Sequence, residues 1–82
     1  MATTYQEAQV LDVSGELCPM PVIKARLALD KLSTGQVLKV IATDVASCDD
    51  MPAFARAQGH KLLEARSEKG TYTYWLQKGE GV

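Results

Sequence analysis

Residues 9–42, with the sequence QVLDVSGELCPMPVIKARLALDKLSTGQVLKVIA, decide the fold. Residues 9–13 alternate in polarity as a short strand does, until a Ser-Gly pair interrupts them. Residues 19–32 have helical periodicity, and Gly35 follows as a stop signal before the β-branched run 37–42. The core stripe of this helix is Val22, Ala25, Ala28, Leu29 and Leu32. The pattern predicts a βαβ unit with parallel strands and a right-handed crossover.

A second helix is predicted to start near Ser47. Ser47 followed by Asp50 resembles a capping box, Pro52 fits best in the first turn, and Gly59 suits the end of the helix. The residues expected on the inner face are Met51, Phe54, Ala55 and Gln58.

The chain then continues as a hairpin. Residues 61–67 and 71–76 read as two strands around a turn at 68–70. The complete order βαβαββ predicts an α+β fold, a two-layer α/β sandwich with a mixed sheet of about four strands and both helices on one face. The pattern does not fix the order of the strands within the sheet.

Length and composition bound the class of protein. The 82 residues, of which 46% are hydrophobic, suit one domain over 1–82 with an ordered core at about 9–78 and frayed ends at 1–8 and 78–82. The net charge of -1 argues against direct binding of nucleic acid. The apolar runs are too short for a membrane span and the start does not resemble a signal peptide, so a cytoplasmic protein without a membrane partner is expected.

Cys18 is the residue most suited to carry chemistry. It lies where the first strand leads into the first helix, with prolines at 19 and 21. If Pro19 is the first helical residue, Cys18 is the N-cap, and the amide of Met20 points toward its sulfur together with the positive end of the helix dipole. This arrangement predicts an exposed thiol with a stabilised thiolate. The alternative is that Cys18 is a small buried hydrophobe.

Other ionisable groups of the chain are candidate partners for this thiol. His60 is the only histidine, and the length of the second helix places it about 15 Å away toward the opposite edge of the sheet, so we expect a solvated loop residue and no Cys-His dyad. Several carboxylates are expected near the thiol and would oppose formation of the thiolate. These carboxylates belong to Glu16, Asp44, Asp49 and Asp50.

Cys48 follows the second strand and is therefore expected at the same sheet edge as Cys18. A second thiol there could act as a resolving cysteine in a disulfide switch, or it could be an incidental residue at a helix start. No cysteine or histidine recurs at the spacing of metal ligands, so neither a metal nor a cofactor is predicted.

The first helix carries a second apolar strip that the core does not explain. It consists of Met20, Ile23 and Leu27, and begins beside the thiol. Basic residues surround it, namely Lys24, Arg26 and Lys31. Single exposed apolar residues are normal, and loops could cover these three. The functional reading is a docking surface for an acidic protein partner.

The sequence resembles the TusA-like (SirA/YedF) family of small sulfur carrier proteins. The likeness spans about residues 9–78 and is carried by Cys18-Pro19-Met20-Pro21, which matches the CPxP signature of that family. Further matches are Leu11-Asp12, Gly15, Gly35, Thr43-Asp44, Asp50-Met51-Pro52 and Phe54. Residues 15–17, Gly-Glu-Leu, depart from the family because many members have a basic or polar residue there, and Cys48 is not part of the signature.

The resemblance implies the same sandwich and a sulfurtransferase without a cofactor, in which Cys18 carries sulfane sulfur as a persulfide. It implies a donor of the cysteine desulfurase or rhodanese type and an acceptor such as a DsrE-type protein. The expected destinations are thiouridine in transfer RNA, molybdenum cofactor synthesis or cytoplasmic sulfur oxidation. Two alternatives remain open, a regulatory or RNA-binding module and a thiol redox protein that uses Cys18 and Cys48.

Overall fold

The structure is a computed structural model that describes residues 5–80. Its elements follow the predicted order βαβαββ. They are β1 (Glu7–Val13), α1 (Met20–Asp30), β2 (Val37–Ala42), α2 (Ser47–Ala57), β3 (Lys61–Glu68) and β4 (Thr71–Gln77). The prediction of a frayed start at 1–8 is wrong for Glu7 and Ala8, which already belong to β1. The part of the prediction that concerns 1–4 and 81–82 lies outside the described residues.

The four strands form one mixed sheet in the order β1-β2-β4-β3, which the sequence left open. β1 and β2 are parallel, as predicted, and β4 pairs antiparallel with both β2 and β3. α1 packs over β1 and β2, while α2 packs over β3 and β4. The α+β two-layer sandwich is therefore confirmed. Within residues 5–80, no helix has the length and apolarity that a membrane crossing needs.

Both helices contribute to one apolar core against a single face of the sheet. Leu29 of α1 and Met51 of α2 are fully buried there, together with Leu38, Val40 and Leu76 of the two central strands. Most of the stripe predicted for α1 is confirmed, since Ala25, Ala28 and Leu29 are buried. Val22 and Leu32 pack against this core while staying partly exposed.

The start of α2 differs from the predicted capping box. Its N-cap is Ala46, and no side chain caps the helix. Ser47 is instead buried, and its hydroxyl shares a 2.7 Å hydrogen bond with the hydroxyl of Tyr74. Pro52 lies inside the helix rather than in its first turn, and Gln58 is exposed rather than on the inner face. Asp50 is therefore not used as a cap.

The hairpin between β3 and β4 turns more tightly than predicted. Glu68 pairs with Thr71, so β3 extends one residue beyond the predicted end and the turn has two residues instead of three. Lys69 and Gly70 have φ values of 51° and 81°. Positive φ at both central residues is the requirement of a type I′ turn, which suits the twist of the flanking strands.

His60 joins the end of α2 to the C-terminal segment and is not the solvated loop residue that the sequence predicted. Its Nδ1 accepts a hydrogen bond of 3.0 Å from the amide of Gly79, and its ring lies 5.8 Å from that of Phe54. Partial burial is the main cause that lowers the pKa of the imidazole, and the positive charge of Lys78 lowers it further. A neutral ring is the form that can accept this bond.

The core of α1 yields a stability prediction with a matched control. Leu29→Ala removes a fully buried side chain and is expected to lower the free energy of unfolding by about 2–5 kcal/mol. Leu27→Ala, in the same helix with a side chain that is 57% exposed, should change it by less than about 0.5 kcal/mol. Urea unfolding followed by circular dichroism measures both values. Equal losses in the two variants would contradict the packing described for α1.

Candidate active site at Cys18

Two side chains that follow β2 hold the loop that follows β1. The amide of Gly15 donates to Thr43 Oγ1 at 2.8 Å, and the amide of Cys18 donates to Asp44 Oδ2 at 2.7 Å. These contacts arise because β1 and β2 are parallel, so their carboxyl ends reach the same edge of the sheet. The backbone of Cys18 is thereby fixed from outside its own loop.

The sequence predicted Cys18 as the N-cap of α1, and this is wrong because α1 begins one residue later than expected. The N-cap is Pro19, with φ −97° and ψ 12°, and the peptide bond between Cys18 and Pro19 is cis. The amide of Met20 donates to the carbonyl of Leu17 at 2.9 Å and not to the sulfur. The predicted stabilisation of a thiolate by this amide is therefore wrong.

The thiol of Cys18 is exposed and donates a hydrogen bond to Asp50 Oδ2, with 3.2 Å between sulfur and oxygen. This bond raises the pKa of the thiol above its ordinary value, and the charges of Asp50 and Asp44 raise it further. The cause is that both carboxylates disfavour a second negative charge beside them. The opposition expected from nearby carboxylates is thus confirmed for these two residues, which favour the protonated form of the Cys18 thiol.

The other two carboxylates of the predicted set have different surroundings. Glu16 forms an ion pair with Lys24 of α1, with 2.6 Å between Oε2 and Nζ, and Lys24 therefore compensates the negative charge of Glu16. Asp49 is exposed in the first turn of α2. Among residues 5–80, no three cysteine, histidine or acidic side chains gather as a metal site would require. That the chemistry needs no metal stays a prediction.

Cys48 has a different side-chain partner from Cys18. Its side chain interacts with the hydroxyl of Tyr74, whose pKa rises to about 12 chiefly through burial. Asp50, which contacts Cys18, lies two residues further along α2 and therefore about 200° around the helix. Both cysteines are free thiols. The geometry does not favour a Cys18–Cys48 disulfide, which needs Cβ atoms about 3.5–4.5 Å apart.

His60 lies at the far end of α2 from the thiol. Asp50 contacts Cys18 near the start of this helix, whereas His60 follows its last residue, Ala57, after a short turn. The 11 residues of α2 extend over roughly 16 Å. This placement matches the expectation that no Cys-His dyad forms.

A mostly apolar groove of about 550 Å³ runs between α1 and α2, with Cys18 among its lining residues. Asp50 also lines it, and Arg26 is its one cationic side chain. The apolar lining consists of Pro19, Val22, Ile23, Ala53, Phe54 and Ala57. A partner segment that entered this groove would therefore meet the thiol together with its carboxylate.

The second apolar strip of α1 is on the surface, as its spacing predicts. Met20, Ile23 and Leu27 are 39%, 42% and 57% exposed. The ion pair with Glu16 ties down Lys24, so the free basic charge around the strip is that of Arg26 and Lys31, both exposed. Docking at Met20, Ile23, Lys24, Arg26 and Leu27 stays a prediction.

Sequence reasoning missed several residues that shape the site. Asp44 and Thr43 were recognised as part of a pattern, but not as the groups that hold the Cys18 loop. Their position directly after a parallel strand was the available signal. Phe54 was assigned to the core alone, although it also lines the groove. Only the packing of α2 beside α1 brings it there.

Fold and site together define a class of small α/β proteins with a thiol presented between the first strand and the first helix. The sequence pattern of the family described as "Sulfurtransferase TusA" matches residues 9–78. The chain is 44% identical over 70 residues to the sulfur carrier protein TusA of Allochromatium vinosum, covering 85% of this chain and 92% of that protein. It is 41% identical over 76 residues to the sulfur carrier protein TusA of Pseudomonas putida W619, covering 93% and 95%.

A solved structure of a similar protein has the same fold. The crystal structure of a SirA-like protein from Desulfitobacterium hafniense matches with a TM-score of 0.76 and 28% identity, over 88% of this chain and 99% of that one. The chain belongs to the TusA sulfurtransferase family. Membership supports a role as a sulfur carrier that interacts with sulfur donor and acceptor proteins.

The environment of Cys18 predicts an unusual response to alkylation. Asp50→Asn removes the hydrogen-bonded negative charge and is expected to lower the pKa of the thiol, because a neutral amide no longer opposes the thiolate. Iodoacetamide should then modify Cys18 about threefold to tenfold faster at neutral pH, since it reacts with the thiolate. The pH dependence of the rate, followed by mass spectrometry in a Cys48→Ser background, measures this shift.

Asp49→Asn is the matched control, because it removes the same charge from the same helical turn at an exposed position. It should leave the alkylation profile nearly unchanged. If Asp49→Asn accelerates alkylation as much as Asp50→Asn does, the specific contact with Asp50 does not govern the thiol.

Proposed function

We propose that this protein accepts sulfane sulfur as a persulfide on Cys18 and passes it to an acceptor protein. The observation that carries the proposal is an exposed thiol at the end of an apolar groove, in a loop that Asp44 and Thr43 hold in place. A carrier cysteine must be reached by two different proteins in turn, so exposure and a fixed backbone are both required. Family membership supports the same role.

The transfer needs only thiol and persulfide chemistry. The sulfur of Cys18 attacks the terminal sulfur of a donor persulfide, the S–S bond of the donor breaks, and its electron pair stays on the donor cysteine. Cys18 now carries the terminal sulfur. In the second step a thiolate of the acceptor attacks that sulfur, and Cys18 leaves with the electron pair. Each exchange conserves the oxidation level, so neither a cofactor nor a metal is part of the proposal.

The proposed donor is a cysteine desulfurase or a rhodanese-type protein, and the proposed acceptor is a DsrE-type protein or a similar thiol protein. Both would dock over the groove and the strip of Met20, Ile23 and Leu27, where Arg26 offers a charge to an acidic partner. The sulfur would serve thiolation of transfer RNA or cytoplasmic sulfur oxidation. A cytoplasmic setting belongs to this proposal, because carrier thiols must stay reduced between transfers.

The two alternatives have less support. An RNA-binding module would rely on the basic face of α1, but Lys24 of that face is paired with Glu16. A redox protein would need Cys18 and Cys48 to meet, and their side chains contact different partners around α2. Salt-sensitive RNA binding that survives Cys18→Ser would favour the first alternative, and a Cys18–Cys48 bridge under mild oxidation would favour the second.

Loading of Cys18 tests the proposed function directly. After incubation with a cysteine desulfurase and free cysteine, the intact protein should gain the mass of one sulfur atom, and a reductant should remove it. Cys18→Ser should gain none. Cys48→Ser is the matched control and should load as the wild type does. Sulfur on Cys48, or no gain in the wild type with donors of either type, would contradict the proposal.

The docking surface gives a separate prediction. Ile23→Asp places a charge on the groove and should lower the rate of loading from a protein donor by about tenfold or more, because burial of a central apolar contact contributes about 2 kcal/mol to binding. Alkylation of Cys18 should not slow by a comparable factor. Val10→Asp is the control, since Val10 is 53% exposed on the sheet face that the helices do not cover. Equal loss in both variants would exclude the groove as the docking site.

A further inference from the structure

The proton of the Cys18 thiol already has a defined acceptor in the resting protein. The sulfur donates to Asp50 Oδ2 at 3.2 Å although it is exposed to solvent. Loading converts this thiol to a disulfide-bonded sulfur, so its proton must leave at that step. The hydrogen bond therefore marks the route along which the proton can leave.

Other groups near the sulfur are less suited to accept it. Asp44 receives the amides of Cys18 and Ala46 on its two oxygens, at 2.7 and 3.4 Å. Glu16 is paired with Lys24. Among residues 5–80, Asp50 forms no ion pair within 4.0 Å, and Arg26 of the same groove is not bonded to it. Asp50 is thus the carboxylate with an oxygen free to take the proton.

Docking of a partner strengthens this role. Cys18 and Asp50 both line the groove between α1 and α2, so a protein seated there covers them together. A protein seated there excludes water, which is the alternative proton acceptor for the thiol.

We propose that Asp50 is the catalytic proton acceptor for Cys18 when the donor protein delivers its sulfur. This inference rests on the proposed carrier function and adds the residue that moves the proton. As the Cys18 sulfur bonds to the terminal sulfur of the donor persulfide, its proton passes to Asp50 Oδ2. The electron pair of the broken S–S bond stays on the donor cysteine, which takes up the proton from Asp50 before the proteins separate. Atoms and electrons balance without a further reactant.

The test compares two rates in each of three variants. The first is the maximal single-turnover rate of loading at saturating persulfidated cysteine desulfurase, and the second is the rate of alkylation by iodoacetamide without a donor. Asp50→Asn should slow loading by about tenfold to a hundredfold while it speeds alkylation at neutral pH. Asp49→Asn removes a charge from the same helical turn at an exposed position without removing the acceptor, so its loading should stay close to the wild-type rate. Asp50→Glu keeps a carboxylate and should recover most of the lost loading rate.

The outcomes separate this inference from the function on which it rests. Loading by Asp50→Asn at the wild-type rate or faster would overturn the role of Asp50, while the carrier function would stand. A loss in Asp50→Glu as large as in Asp50→Asn would also overturn it, because a retained carboxylate would then give no advantage. A wild-type protein that gains no sulfur would overturn the proposed function itself. Equal thermal unfolding midpoints confirm that the compared variants are folded.

Discussion

The hydrogen bond from the Cys18 amide to the Asp44 carboxylate is the interaction on which the site depends. It exists because the parallel pairing of β1 and β2 brings the ends of both strands to one edge of the sheet. The helix α1 provides the crossover connection that two parallel neighbouring strands require. On its other side, β2 pairs with β4. The loop that contains the thiol is therefore anchored by a second, separate loop. The position of the sulfur follows from the sheet rather than from the conformation of its own segment.

The electrostatics of Cys18 differ from those of a thiol activated by a helix terminus. Two carboxylates face the sulfur, and the nearest helical amide is bonded to Leu17, so the field at this atom favours the proton. A sulfur attached to Cys18 would lie about 2 Å further out, where the field of Asp50 depends on the direction it takes. The inner and outer sulfur atoms of a persulfide would thus have different surroundings. Asp50 and Asp44 disfavour the thiolate of Cys18 before sulfur is bound. They oppose a negative charge on the outer sulfur of a persulfide least when that sulfur points away from them.

Sequence patterns predicted the elements well because each element has a local signal. Helical spacing, the run at 37–42 and the glycine at 35 are all readable along the chain, and they gave α1 and β2 within a few residues. The errors lie where a local rule competes with a tertiary contact. Ser47 looked like a cap, but the Tyr74 hydroxyl holds it in the core. Cys18 looked like an N-cap, but the amide of Met20 bonds to Leu17. No local pattern encodes the strand order or the groove, because both arise from packing between distant segments.

The raised pKa of the Cys18 thiol and the apolar groove beside it have complementary effects on the reactivity of this residue. A Cys18 thiol that reacted readily by itself would attack any small disulfide or other electrophile in solution. Asp50 and Asp44 disfavour the reactive thiolate of Cys18, and in the proposed function a partner would gain its binding energy at the groove and the strip of α1, away from the sulfur. Binding energy from such remote contacts can be used to bring about the transfer step. The carboxylates would thus lower the reactivity of Cys18 toward every electrophile, and docking in the groove would restore it only for proteins that fit.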